Sequence, residues 1–229
     1  PEMTLLAFAD GKTVLPMLTS RDHKRANDND EGKNTGGMGA IAPGADLTKD
    51  QEKRIYDSIV APTIAALAKE NRPFKGVIYY GLMLTKDGPR VIEYNARFGD
   101  PECQVILPRM KNDLMELVDA CIDGTLDQVD LQFSDGFSCV VVMASGGYPE
   151  KYDKGYEITG IDTCGKLVFE AGTAVKEGKT VTSGGRVLCV YNEGATLDEA
   201  IDGSYEGVKK IAFEKMHFRN DIGRTKSEL

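Results

Sequence analysis

Three side chains that chemistry can use stand two residues apart in "VIEYNARFGDPE", residues 91–102: Glu93, Asn95 and Arg97. Successive side chains of a strand alternate, so these three share one face with Val91, while Ile92, Tyr94, Ala96 and Phe98 take the other. A carboxylate beside an amide offers hard oxygen ligands of the kind magnesium takes, with water and substrate phosphates completing the octahedron. A half-solvated strand produces the same alternation, so the pair gains weight only from its neighbours along the chain. Its C-terminal neighbour is "RFGDPE", where Gly99 and Pro101 shape a turn and gather Arg97, Asp100 and Glu102 at the strand end, a place where sheets present groups to ligands.

A second concentration is "NTGGMGA", residues 34–40. Its glycines allow close approach of backbone to a ligand and suit an anion-binding nest, although a flexible loop has the same composition. It is neither a Walker A motif nor a dinucleotide fingerprint, since no Lys-Ser/Thr comes after it. The basic run "RDHKR", Arg21 to Arg25, leads into it. His23 and His217 are too scattered for acid–base pairing and receive no catalytic role.

The remaining composition excludes more than it selects. In 229 residues, 41% hydrophobic and 28% charged content describes an ordered globular chain of one or two domains. The net charge is −8, acidic residues outnumber basic ones on both sides of Asp130, and phosphate-driven nucleic-acid binding is not expected. No run approaches a membrane span and no signal-peptide pattern opens the chain, so the expected setting is cytoplasmic, without a membrane partner. Five cysteines without a CxxC read as reduced core residues.

These residues need elements to hold them. "MTLLAFADGKTVLPML" reads as a hairpin about Asp10-Gly11, and "GVIYYGLMLT" with "RVIEYNARF" as a second about "KDGP". Between them, residues 21–46 are too long for a plain connection. Apolar spacing predicts a helix over 48–71 with a Thr48–Gln51 capping box, and another over 103–122 ended by Gly124. Beyond about Gln132, short strands between glycines suggest a small barrel or sandwich, with one helix over 196–211. The expectation is an α+β chain in two parts, 1–131 and 132–229.

"DHKRANDNDEGKNTGGMGAIAP" (22–43) and "VIEYNARFGDPECQVILPRMKNDL" (91–114), supported by "MASGGYPEKYDKG", "TSGGRVLCV" and "FRNDIG", resemble the glycinamide ribonucleotide synthetases, also called phosphoribosylamine–glycine ligases, which are ATP-grasp enzymes of purine synthesis. The resemblance implies that 1–131 is the C-terminal lobe of an ATP-grasp domain, an antiparallel sheet with helices. It implies ATP-dependent joining of glycine to 5-phosphoribosylamine through glycyl phosphate, with ATP as cosubstrate. Glu93 and Asn95 are then ligands of Mg2+ or Mn2+, and Arg97 a catalytic group that neutralises the transferring or acyl phosphate. Asp22, Lys24 and Arg25, with Asn34, Thr35, Gly36, Gly37 and Met38, line the pocket for glycine and phosphoribosylamine. Asp100 and Glu102 hold an amine or ribose hydroxyls, a structural role for Asp100 being equally open, and Arg186 or Arg219 can reach the rim.

Two departures matter. "GVIYYGLMLT" lacks the extra acidic metal ligand that many ATP-grasp enzymes carry on that strand. Roughly 190 residues of the family pattern, about what one or two domains occupy, precede anything matched here, so the chain is expected to need its missing N-terminal part for turnover. Another ATP-grasp carboxylate–amine ligase would share the metal pair but not "NTGGMGA" followed by "RFGDPE". A non-catalytic module would have no use for Glu93, Asn95 and Arg97 together.

Overall fold

β1 (Glu2–Asp10) is buried along all but its first residue, which marks it as an interior strand. The Asp10 carboxylate accepts the N–H groups of Lys12 and Thr13, and Gly11 takes φ 95°, so the hairpin turns where the sequence predicts. The computed structural model describes residues 2–224. After β1 the chain runs through β2 (Val14–Asp22), β3 (Arg25–Asn27), β4 (Glu31–Asn34), β5 (Gly39–Ala42), α1 (Lys49–Ile55), α2 (Ala61–Lys69), β6 (Lys75–Thr85) and β7 (Gly88–Asn95). It continues through α3 (Glu102–Ile106), α4 (Leu114–Asp123), β8 (Phe137–Ser145), β9 (Leu167–Glu170), β10 (Thr173–Lys176), β11 (Lys179–Thr182), β12 (Arg186–Gly194), α5 (Leu197–Val208) and β13 (Met216–His217).

Nine strands form one open, antiparallel sheet in the order β7-β6-β1-β2-β5-β8-β12-β9, with β13 also on β8. The expected barrel or sandwich is not found: β8, β12 and β9 extend the sheet that β1 begins. The link is β5, whose Gly39–Ala42 pairs with β2 on one side and with residues 138–141 of β8 on the other. β10 and β11 form a separate ribbon, and "YEITGI", one of the short glycine-bounded runs after Gln132, supplies only single bridges at Glu157 and Thr159.

Helices cover both faces. On one, α1 and α2 seat Ile55, Ile59, Val60 and Ile64 against Leu5, Ala7, Tyr80 and Leu82, while α5 seats Ile201, Tyr205 and Val208 against β8 and β12. On the other, α3 and α4 lie over Leu6, Phe8, Ala40, Val140 and Cys189. Burying this much apolar side chain, at about 1.5–3 kcal/mol for each large residue, holds the layers together. Four of the five cysteines are buried, and burial pushes the Cys139 and Cys189 thiols up to about 12, so they act as packing groups.

The expected capping box forms at Thr48–Gln51, and a second, not expected, forms at Thr196–Glu199. α1 passes through a π turn (Tyr56–Val60) just before Pro62, whose missing N–H cannot serve the regular ladder. The helix expected over 103–122 is two helices. Pro108 ends the first in a 3-10 turn, and Asp113 restarts the second by accepting the Met115 N–H.

Candidate active site

The face under α3 carries the polar residues. Thr4 pairs with Gly81 and Ser20, Tyr79 with Asn95, and Gly81 with Glu93, which brings Thr4, Tyr79, Glu93 and Asn95 onto one surface. The ladder is regular from Gly81–Glu93 to Tyr79–Asn95, so Glu93 and Asn95 project together as expected. Val91 does not join them. A bulge at Ile92 makes Leu82 face Val91, and Val91 turns toward α2 with Tyr94. Gly81 gives Glu93 its room, because a Cβ there would lie 2.9 Å from Glu93 Cγ. The Asn95 amide has a buried Nδ2 with no partner, and the Arg97 guanidinium stands 5.7 Å from the Tyr79 ring centre while donating to the Phe98 carbonyl.

Next to this group, two carboxylates face each other under cover. Glu102 is 3% exposed, and its Oε1 accepts from Tyr79 Oη at 2.9 Å and Thr4 Oγ1 at 3.3 Å. Asp22 Oδ1 is sealed off without any donor. Burial first, then the Glu102 charge, pushes the Asp22 carboxyl well above the usual carboxylate range, against the pull of Lys24, the His23 N–H and Arg186. Lys24 pairs with Glu2; burial opposes its charge, but Glu2, Asp22 and Glu93 together raise its pKa.

The arrangement predicts a stability trade. The folded pKa of Asp22 exceeds the unfolded one, so its contribution is complete below the ordinary value near 3.8 and is lost as pH rises through the folded value. Asp22→Asn therefore stabilises the chain at pH 8 by about 1 kcal/mol and by less at pH 5. Urea unfolding at the two pH values measures this, and equal destabilisation at both would contradict the buried acid pair.

The glycine loop differs from the anion nest allowed by its composition. The N–H groups at its centre are already taken: Thr35 donates to Lys24 O, Gly36 to Tyr148 Oη, Gly37 to Thr35 Oγ1 and Met38 to His23 O. The glycines serve close packing. A Cβ on Gly37, at φ 118°, would fall 2.4 Å from Pro101 Cδ and 2.6 Å from Asp22 Oδ1. Met38 is fully buried in the core, so its side chain faces away from the pocket expected for it. Arg25 likewise turns aside, donating to Gly32 O within its own hairpin. Asn34 is exposed on β4, and the Asp100 carboxylate is occupied by Gln104 and Arg186.

Sequence reasoning missed Thr4 and Tyr79, which look like ordinary strand residues. It also missed the grip of the C-terminal half on residues 23–36. Asn220 binds the Asp28 carboxylate twice, Asp221 accepts from Asn29 N, and Gly223 N donates to His23 Nε2. That last bond puts the His23 proton on Nδ1, facing Gly39 O; burial, reinforced by Arg21 and Arg219, lowers its pKa to about 4 and keeps the ring neutral. Arg219 is buried and ties Asp30 to Asp221, away from the rim, whereas Arg186 does reach the glycine loop. A separate groove of about 810 Å3 between α1 and β2, lined by Met17, Leu18, Tyr56 and Phe133, contains none of these residues.

Both halves of the chain are similar to known proteins. The model of the phosphoribosylglycinamide synthetase ATP-grasp (A) domain matches residues 1–103, and that of the C domain of the same family matches residues 138–225. A phosphoribosylamine–glycine ligase of Clostridium acetobutylicum is 45% identical over 225 residues, 98% of this chain and 54% of that protein. A trifunctional purine biosynthetic protein adenosine-3 of Gallus gallus is 48% identical over 97% of this chain and 22% of its own length. The crystal structure of phosphoribosylamine–glycine ligase from Thermotoga maritima superposes with TM-score 0.89 at 37% identity, covering 97% of this chain and 55% of that one. The biotin carboxylase subunit of pyruvate carboxylase, at 15% identity and TM-score 0.59, shares the fold alone. The chain spans about half the length of the curated ligases it matches.

Proposed function

We propose, for a chain that belongs to the phosphoribosylglycinamide synthetase family, that it supplies the metal-binding and acceptor side of the ATP-dependent ligation of glycine to 5-phosphoribosylamine. The products are glycinamide ribonucleotide, ADP and phosphate, with glycyl phosphate as the intermediate. The observation that carries the reading is convergence. Glu93, Asn95 and Arg97 from one hairpin, Asp22 and Lys24 from another, and Glu102 from α3 gather at one surface of one sheet.

The donors fit Mg2+ or Mn2+. Glu93 is an exposed carboxylate given room by Gly81, and the Asn95 amide is unbonded on its buried side and can present its oxygen. No cluster of three or more His, Cys, Asp or Glu side chains exists among the described residues, so Glu93 and Asn95 would hold the ion together with ATP phosphates and water. Bound there, a divalent ion would supply positive charge to offset what develops on the phosphoryl group during transfer.

The chain's own residues do the remainder. Arg97 is anchored through Phe98 O and the Tyr79 ring, and it offers its planar fork to the transferring phosphoryl group or the acyl phosphate. As the amine nitrogen attacks the acyl carbon, the C–O bond to phosphate breaks and the departing phosphate takes up the proton that the nitrogen gives up; the Asp22 and Glu102 carboxyl groups face the amine there. Lys24, Asn34, Thr35, Gly36 and Gly37 complete the pocket. Residues 1–131 carry these groups, and 132–229 braces them.

On this reading the chain alone does not turn over. The test is phosphate release by this chain completed with the N-terminal half of the Clostridium acetobutylicum ligase. Release that requires glycine and phosphoribosylamine together is expected. Equal release with a different carboxylate or amine would overturn the assignment in favour of another carboxylate–amine ligase.

A further inference from the structure

Tyr148 and Arg186 lie more than 100 residues beyond the glycine loop, yet both reach one residue in it, through the peptides on its two sides. The Gly36 N–H donates to Tyr148 Oη at 2.9 Å, and the Gly36 carbonyl accepts from Arg186 Nη1 at 2.8 Å. The same Nη1 donates to Asp100 O at 2.9 Å and to Asp100 Oδ1 at 3.2 Å, tying the glycine loop to the turn after β7. The guanidinium lies flat against Gly36, since a Cβ there would sit 2.9 Å from Arg186 Cζ, 3.0 Å from Nη2 and 3.1 Å from Nε.

The clamp is itself built. A Cβ on Gly185 would fall 2.3 Å from the Tyr148 ring and 3.1 Å from Tyr152, so glycine there lets the Tyr148 ring pack directly against the strand end that carries Arg186. Ser145 locks the pair, its N–H on Gly185 O and its hydroxyl on Gly184 O. Ser145 and Tyr148 of "ASGGYP" and the glycines of "SGGR" thus belong to one device joining the end of β8 to the start of β12.

The geometry points to Tyr148 and Arg186 as positioning residues that preset the two peptides flanking Gly36, and with them the wall formed by Thr35, Gly36, Gly37 and Asp100, from the C-terminal half of the chain. A short glycine-rich segment has more conformations to lose than any other, so without the clamp the pocket wall would have to be ordered at each binding event. Neither residue needs to touch substrate. Its action is to remove that ordering cost beforehand, which improves affinity more than it changes the chemical step. This rests on the reading of the loop as a substrate wall; the clamp itself does not.

The experiment has two arms. In this chain, amide hydrogen exchange is followed at residues 34–38, with the β8 amides as internal control, for wild type, Tyr148→Phe, Arg186→Gln, Arg186→Lys and Gly36→Ala. Loss of one clamp hydrogen bond is expected to speed exchange at Gly36 and Gly37 by about tenfold while β8 is unchanged, with Arg186→Lys intermediate. Gly36→Ala displaces the flexible guanidinium rather than backbone, so it should reproduce Arg186→Gln, and the double variant should exchange no faster than either single one. Wild-type protection of Gly36 and Gly37 in Arg186→Gln and Tyr148→Phe would overturn the clamp, as would equal acceleration throughout β8. In the second arm, Arg186→Gln in the completed ligase is expected to raise KM for phosphoribosylamine by about tenfold and to change kcat by less than about threefold. Faster loop exchange with an unmoved KM would leave the clamp standing and remove the loop from the substrate pocket.

Discussion

Glu93→Ala is expected to leave the chain folded and to abolish manganese binding at micromolar concentrations. Residue 93 is exposed on an edge strand, so the substitution should change stability by no more than about 0.5 kcal/mol. The effect on the ion is large because the carboxylate is the one charged donor of the pair; an amide and water cannot replace it. In the completed ligase, losing an interaction that strengthens in the transition state should lower kcat by about 10³-fold. Asn95→Ala removes a neutral donor and should cost less, and Glu93→Asp should recover part of the loss. Gly81→Ala gives an independent check, since its Cβ would lie 2.9 Å from Glu93 Cγ and push the carboxylate aside without removing it. Paramagnetic broadening by Mn2+ reads all four variants. Unchanged broadening in Glu93→Ala would refute the metal assignment, and an unchanged profile in Gly81→Ala would refute the role of the side chain's direction.

That Glu93 and Asn95 share a face was legible because side-chain alternation depends only on unbroken pairing, and the ladder is unbroken between them. Val91 was misplaced because the bulge at Ile92 leaves no mark in composition; it arises where β6 and β7 must bend together. Local signals read well wherever the cause was local. The Asp10 turn, the Thr48–Gln51 capping box and the Gly124 helix stop each involve residues within a few positions of one another. The break in 103–122 was also written locally, in Pro108 and Asp113, but the apolar period through Met110 and Leu114 masked it.

The glycine loop shows a different limit. Three glycines in four positions permit a nest, a hinge or a close contact, and only the neighbours decide among them. Here the neighbours are Arg186, Pro101, Asp22, Val140 and Ile222, all but Asp22 far away in sequence. The same holds for "GGYP", "SGGR" and "FRNDIG", whose composition names no partner. Their partners lie at residues 23–36, a segment with few buried side chains of its own, so its shape is set by what grips it. The barrel expectation failed for a related reason. Four residues, Gly39–Ala42, join the two halves of the sheet, and nothing in that short stretch announces a strand with partners on both sides.

Arg219→Met should be the most destabilising single change in that grip, lowering unfolding free energy by about 3–5 kcal/mol. Its side chain is 0% exposed, donates to both oxygens of Asp221 and to Asp30, and also reaches the Arg25 carbonyl. Arginine stays charged, so its burial is tolerated only with those acceptors in place. Asp30 is 55% exposed and can be rehydrated, so Asp30→Asn should cost no more than about 1 kcal/mol. Asp221 is 19% exposed; after Arg219→Met it remains a carboxylate with little water and no cation. Much of the loss therefore comes from the abandoned anion rather than from missing packing, which makes the order of costs diagnostic. Arg219→Met/Asp221→Asn should be more stable than Arg219→Met alone, the reverse of what additive damage gives. Urea unfolding of the three variants decides it: a double variant less stable than Arg219→Met, or a single-variant loss under about 1 kcal/mol, would show that the ion pair does not hold the 25–30 segment.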